Sequence, residues 1–141
     1  VSDSPSSAEP RWVGRLVAET VQHDLISMHG GLPGLRDEGL LEAALARPRQ
    51  LWSYGASIDV AALAAAYAYG IARNHPYNDG NKRIAFVVAA VFAELNGYRL
   101  DARESEVVDA MLRLAAGTIE EEALAEWLRG RLVALGSGHS R

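Results

Sequence analysis

Residues 75–83 read His75-Pro76-Tyr77-Asn78-Asp79-Gly80-Asn81-Lys82-Arg83, and they join two helix-forming runs, VAALAAAYAYGIARN at 60–74 and NKRIAFVVAAVFAEL at 81–95. A short polar connection between two apolar runs of helical period belongs to a helix-rich domain. Pro76 disfavours the α region for His75, which ends the first helix there and leaves the imidazole on the loop. Gly80 lets the backbone approach a ligand closely, and the first-turn amides beside it have no intrahelical acceptor. Such a terminus attracts anions through free N–H groups and the positive end of the helix dipole. Lys82 and Arg83 at this end oppose the dipole unless an anion binds there, and phosphate is the natural one. Asp79 supplies the hard oxygen that suits a magnesium ion bridging phosphates. His75 suits the removal of a proton from an attacking hydroxyl near neutral pH. Taken singly, these residues read as loop caps and solvated surface. Taken together in one turn, they read as a site.

Outward from the loop, Ile84, Val87, Val88, Val91 and Leu95 form one apolar face of the following helix. Its β-branched residues are poor helix formers alone, so burial must hold it, and its N-terminus is rigid as a consequence. Asn96 and Gly97 provide a left-handed stop. Asp59 is a good N-cap for the preceding helix, whose alanines allow close neighbours. Farther upstream, Val13, Leu16, Val17, Val21, Leu25 and Met28 predict a helix over 13–28. Gly30 and Gly31 end it, and GLPGLRDEG at 31–39 is turn-rich. A short helix over 38–46, with Leu40, Leu41, Ala44 and Leu45 inward, is closed by Pro48. LWSYGAS at 51–57 then breaks the helical pattern and reads as a core-packing loop, an extended flap or a short β-hairpin. Two further helices are announced by capping boxes, Asp101 with Glu104 and Thr118 with Glu121, and run to about Ala116 and Leu132. Val107, Val108, Met111 and Leu114, then Ile119, Leu124, Trp127 and Leu128, supply their inward faces. The expected fold class is mainly α: a compact single-domain bundle of about six helices over residues 11–135. Residues 1–10 have the composition of a disordered arm and 136–141 of a flexible tail.

The 141 residues suffice for one core, and the 49% hydrophobic share supports it. The absence of cysteine excludes a disulfide framework, a thiolate metal site and a cysteine nucleophile, and fits a cytoplasmic protein. No apolar run approaches the roughly 20 residues that span a bilayer, and the polar, Ser-rich start carries no secretory pattern, so no membrane partner is expected. A formal net charge of −4 argues against direct nucleic-acid binding, whereas the local basicity of Arg73, Lys82 and Arg83 suits a nucleotide. His23, Asp24 and His29 lack further ligands at a convincing spacing, so polar packing or capping ranks above a metal site.

HPYNDGNKR resembles the signature of the Fic/Doc family, H-x-F-x-D/E-G-N followed by a variable residue and Arg. The likeness extends through GLLEAALARP at 39–48, GIARN at 70–74 and ELNGY at 94–98, and covers about residues 11–133. In this family the variable position is usually Gly in nucleotide-transferring enzymes and Lys in Doc-like toxins, so Lys82 places the chain on the Doc side. Tyr77 replaces the usual Phe and adds a hydroxyl that needs a partner. Phe86 stands where nucleotidylating members commonly carry a second Arg.

The resemblance implies a toxin that transfers the γ-phosphoryl group of ATP to a Ser or Thr hydroxyl of a protein, with elongation factor Tu as target and arrested translation as outcome. On the matching positions, His75 would be the base and Asp79 would hold Mg2+, while Gly80, Asn81, Lys82 and Arg83 would grip the phosphates. A flap upstream in the family pairs with the target's backbone, and Trp52, Ser53, Tyr54 and Gly55 are its expected counterpart. The inhibitory S/T-x-x-x-E-G/N motif has no match, since Thr118 and Glu122 are followed by Ala123. Control would then come in trans from a cognate antitoxin. The alternatives are an adenylyltransferase of the same fold and an inactive relative that only grips nucleotide or partner.

Overall fold

A computed structural model describes residues 8–55 and 58–136. Six helices, α1 (Arg15–His29), α2 (Glu38–Tyr54), α3 (Val60–Asn74), α4 (Asn81–Leu95), α5 (Glu104–Ala116) and α6 (Glu121–Arg129), are joined by two short strands, β1 (Tyr98–Leu100) and β2 (Leu132–Ala134). The mainly helical fold is thus as expected. Residues 1–7 of the expected arm and 137–141 of the expected tail lie outside the described residues.

The bundle is built around α3. Ala61, Leu63, Ala64, Ala65, Ala66, Tyr67, Ala68, Gly70, Ile71 and Ala72 are all buried, which a helix achieves only when neighbours cover it on every side. Those neighbours are α2, α4 and α6. Small residues make the approach possible: a Cβ on Gly70 would meet Ala44 Cα of α2 at 3.4 Å. Tyr67 ties the N-terminal segment to this centre, its hydroxyl accepting from Val13 N at 2.8 Å and donating to Val13 O at 3.2 Å. Asn96, just after α4, clasps the same segment by exchanging hydrogen bonds with the backbone of Arg11.

Several expectations are corrected. Pro48 does not close α2, which continues through it to Tyr54. An interior proline costs about 3 kcal/mol, and packing offsets it here. Pro48 itself is fully buried, and one turn on Trp52 meets Trp12 edge-on, ring centroids 6.1 Å apart. Residues 51–54 are therefore helical rather than a flap or hairpin, and 56–57 lie outside the described residues.

The fifth helix begins later than expected, at Glu104, where Glu106 rather than Glu104 reaches back to accept from Arg103 N at 3.0 Å. Thr118 caps the end of α5, donating to Arg113 O, instead of starting α6. The sixth helix stops at Arg129 because the chain turns to pair β2 antiparallel with β1, Leu132 opposite Leu100 and Ala134 opposite Tyr98. The core face of α4 is also rotated. Ile84, Val88 and Phe92 are buried with Ala85, Ala89 and Ala93, whereas Val87 and Val91 are half-buried and Leu95 is exposed. Leu16, Met28 and Val108, expected inward, face out.

Candidate active site

The α3 helix ends where Pro76 requires. His75 is its C-cap, in the left-handed region at φ 50 and ψ 56, with its N–H donating to Ile71 O at 3.1 Å. A non-glycine residue held there stores about 1–3 kcal/mol, so the surroundings must fix it. They do so mainly through residues 30–37. Arg36 N and Asp37 N both donate to Pro76 O, at 2.7 and 3.0 Å, and Asn78 N donates to Gly34 O at 3.0 Å. Leu35 and Tyr77 form an antiparallel bridge. The Asn78 amide adds a bond to Pro33 O at 3.0 Å. The loop between α1 and α2, and not the segment 52–55, is therefore what lies along the candidate site. Its signal in the sequence was the run of glycines: Gly30, Gly31 and Gly34 all adopt positive φ, at 80, 116 and 97°. A Cβ on Gly31 would stand 3.0 Å from Asp79 Oδ2.

Trp52, Ser53, Tyr54 and Gly55 occupy the end of α2. Trp52 is packed on Trp12, Ser53 Oγ donates to Gln50 O at 2.8 Å, Tyr54 is exposed and Gly55 is the C-cap. The remaining expected residues do converge. Asp79 is exposed, with Oδ2 accepting from Leu32 N at 3.1 Å and Oδ1 from Gly80 N at 3.2 Å. Each carboxylate oxygen keeps a further lone pair, so the exposed carboxylate has acceptor capacity left to offer a cation. Among the described residues no group of three or more His, Cys, Asp or Glu gathers as a metal site. A magnesium ion on Asp79 would accordingly complete its shell with phosphate oxygens and water, which is its habit.

Gly80, at φ 76, is the N-cap of α4 and offers no side-chain cap. The N–H groups of Asn81, Lys82 and Arg83 are left without an intrahelical acceptor. Lys82 and Arg83 are exposed, and no ion pair or hydrogen bond holds either side chain among the described residues. Asn81 differs: its side chain is buried and stapled to the loop, accepting from Tyr77 N at 3.0 Å and donating to Tyr77 O at 2.9 Å. What it leaves for an anion is its backbone N–H. Its amide also stands 3.5 Å from His75 Nδ1, too long to fix the tautomer of an exposed ring.

The family model for the Fic/DOC family matches residues 15–93, which include both the 30–37 loop and the motif. The chain belongs to the Fic/DOC family. Among its Fic/DOC relatives, the protein kinase doc of Escherichia phage P1 is 36% identical over 108 residues, 76% of this chain and 85% of that protein. The toxin Doc of Mycolicibacterium smegmatis is 36% identical over 112 residues, 77% of this chain and 86% of that protein.

Two features lie beside this Fic/DOC site, and the second adjoins it at Arg83. His23 and Asp24 make an exposed contact at 3.6 Å. His29 lies on the rim of an apolar groove of about 430 Å³ that runs along α4, lined by Leu25, Phe86, Val87, Val91, Leu100 and Met111 and reaching Arg83 at one end. Phe86, at the position of the second arginine of other members, is 4% exposed and meets Trp127 edge-on at 5.9 Å, so that place is apolar. Among the described residues no helix is long and apolar enough to cross a membrane.

Proposed function

We propose that this chain is the toxin of a toxin–antitoxin pair and a protein kinase, transferring the γ-phosphoryl group of ATP to a Ser or Thr hydroxyl of a cellular protein. The observation that carries the proposal is the start of α4, where three unmet amides and two unpaired cations stand one turn from an exposed imidazole and an exposed carboxylate. His75 takes the proton of the target hydroxyl as its oxygen bonds to the γ-phosphorus. The bond from that phosphorus to the β,γ-bridging oxygen breaks and ADP leaves, its charge met by Lys82, Arg83 and the α4 amides. Phosphoryl transfer is mostly positioning and charge stabilisation, so this set is chemically sufficient. Magnesium held by Asp79 supplies further charge neutralisation when bound. The name of the phage P1 relative supports the kinase reaction over adenylyl transfer. So does the chemistry of two positions, since Lys82 replaces the usual Gly and Phe86 the usual second Arg. Elongation factor Tu is the target we test first, with arrested translation as the outcome.

The partner is an antitoxin acting in trans. The groove along α4 suits one of its segments: its lining is mostly apolar and includes Arg83, so an occupant would also lie against the phosphate end of the site. Expression of a neighbouring small reading frame that restores growth is the expected result, and failure of any such frame to rescue counts against the pairing.

Incubation with target and ATP labelled at either the α or the γ position tests the reaction. Only the γ label should transfer; transfer of the α label establishes adenylylation instead. His75→Ala should lower transfer by about 10²–10⁴-fold without loss of fold. Growth arrest that persists in this variant removes His75 from the role of base.

A further inference from the structure

The candidate base sits on a left-handed residue, at the C-terminus of a helix whose last carbonyls have no intrahelical donors. Arg36, which lies outside the HPYNDGNKR motif, meets three successive carbonyls of this turn. Its Nη2 donates to Asn74 O at 2.9 Å, its Nε donates to His75 O at 2.7 Å and its backbone N donates to Pro76 O at 2.7 Å. The guanidinium is suited to this because its N–H donors are coplanar and its charge is fixed. It also places a cation at the negative end of the α3 dipole, where it is favoured. Asn74 is fixed from its other side as well, its Nδ2 donating to Leu40 O at 3.0 Å.

We propose that Arg36 is a positioning residue for His75, holding the 74–76 turn so that the imidazole projects towards the start of α4. It touches no reacting atom. Every bond from its side chain goes to backbone oxygen, so it acts through the direction in which the His75 Cα–Cβ bond points. The His75 ring itself has little to hold it, with one contact at 3.5 Å to Asn81. What the 30–37 loop sets, through the backbone, is therefore the direction in which the ring leaves the chain and not its rotamer.

The catalytic consequence rests on reading His75 as the base, but the positioning can be measured without activity. In protein labelled in its histidines, the His75 ring signals and their pH titration are compared in wild type, Arg36→Ala and Arg36→Lys by NMR, alongside the thermal midpoint. In Arg36→Ala the His75 ring and backbone signals should shift away from their wild-type positions and the His75 amide should exchange at least about 10-fold faster. The signals of His23 and His29 and the midpoint should stay close to wild type. Lysine keeps the charge but lacks the rigid, coplanar pair of donor nitrogens that meets the two carbonyls here, so Arg36→Lys should resemble Arg36→Ala. With target and γ-labelled ATP, kcat should fall about 10- to 100-fold while KM for ATP changes little. Unmoved His75 signals in Arg36→Ala overturn the proposal, and so does a joint shift of all the histidines with the midpoint, which marks a general structural role. Full rescue by lysine overturns the two-pronged geometry. If the ring moves as expected but wild type transfers no phosphate, the kinase reading fails and the positioning role stands.

Discussion

At the start of α3, Asp59 accepts from Ala62 N at 3.0 Å, and Arg129 of α6 donates to both of its oxygens, at 2.6 and 2.9 Å. At the start of α4, Gly80 offers no side chain, the first turn holds no acid, and the two cations there have no partner among the described residues. Both termini present the same problem, a row of amides without acceptors. One is closed by the chain itself and serves only to fasten α6 to α3. The other is left open beside the His75 imidazole and the Asp79 carboxylate, with charges that oppose the dipole unless an anion arrives. On the proposed function, the difference separates a structural helix start from one that serves a ligand.

Lys82→Glu should have the largest effect on this contrast, because it makes the α4 terminus resemble that of α3. An acid in the first turn favours the helix dipole by about 0.3–1 kcal/mol, so the folded state gains stability. Phosphoryl transfer should fall about 100-fold, because the anion now meets a like charge. Chemical denaturation and the labelled-ATP assay report the two quantities on the same preparation. A gain in stability with transfer intact would show that the α4 terminus does not serve phosphate.

The same contrast explains what could be read from the sequence. Asp59 before an alanine run and Gly80 before two cations are local patterns, so both helix starts and the placement of the motif loop were legible. The packing that carries α2 through Pro48 was not, because it depends on Trp52 meeting Trp12, forty residues away in sequence. The role of residues 30–37 was only partly legible: the glycines marked a turn-rich loop, but every bond between it and the 74–79 segment has a backbone group on at least one side, which leaves no pairing pattern in the sequence. The face of α4 was misjudged for a related reason: Val87 and Val91 look like core residues but line the groove that α1 and α5 leave open.

Asp59→Ala is the next test and acts on the closed terminus alone. Loss of the cap and of a half-exposed ion pair should cost about 1–2 kcal/mol of stability. Activity per folded molecule should be unchanged. The hydrogen bonds from Arg129 hold the Asp59 carboxyl below its ordinary range, with burial opposing and the Ala62 amide assisting. A depressed folded value means that this stabilisation is fully present above about pH 4 and is lost as pH falls through the folded value. Wild type and Asp59→Ala should therefore converge in stability in strong acid. A stability gap that stays constant there would show that the carboxylate charge has no part in the cap.

An unmet polar group invites a ligand only if the ligand can reach it, and Tyr77 supplies the control. Its hydroxyl is buried and has no hydrogen-bond partner among the described residues, whereas the equally buried Tyr67 is bonded through Val13. Burial, assisted by Glu19, pushes the Tyr77 hydroxyl up to about 12. The group is raised, so its ionisation disfavours the folded state: stability is unaffected by this titration below about pH 10 and falls as pH rises towards about 12. Tyr77→Phe removes the orphaned hydroxyl and keeps the ring that fills the site, so stability at neutral pH should rise by about 1 kcal/mol. The alkaline loss of stability should become shallower without vanishing, because Tyr67 is pushed up to about 12 as well. Transfer should be unaffected, since the ring and the backbone bonds from Tyr77 to Asn81 remain. A fall in transfer on losing this one oxygen would place the hydroxyl within reach of the site and extend the open terminus of α4 into the core beneath it.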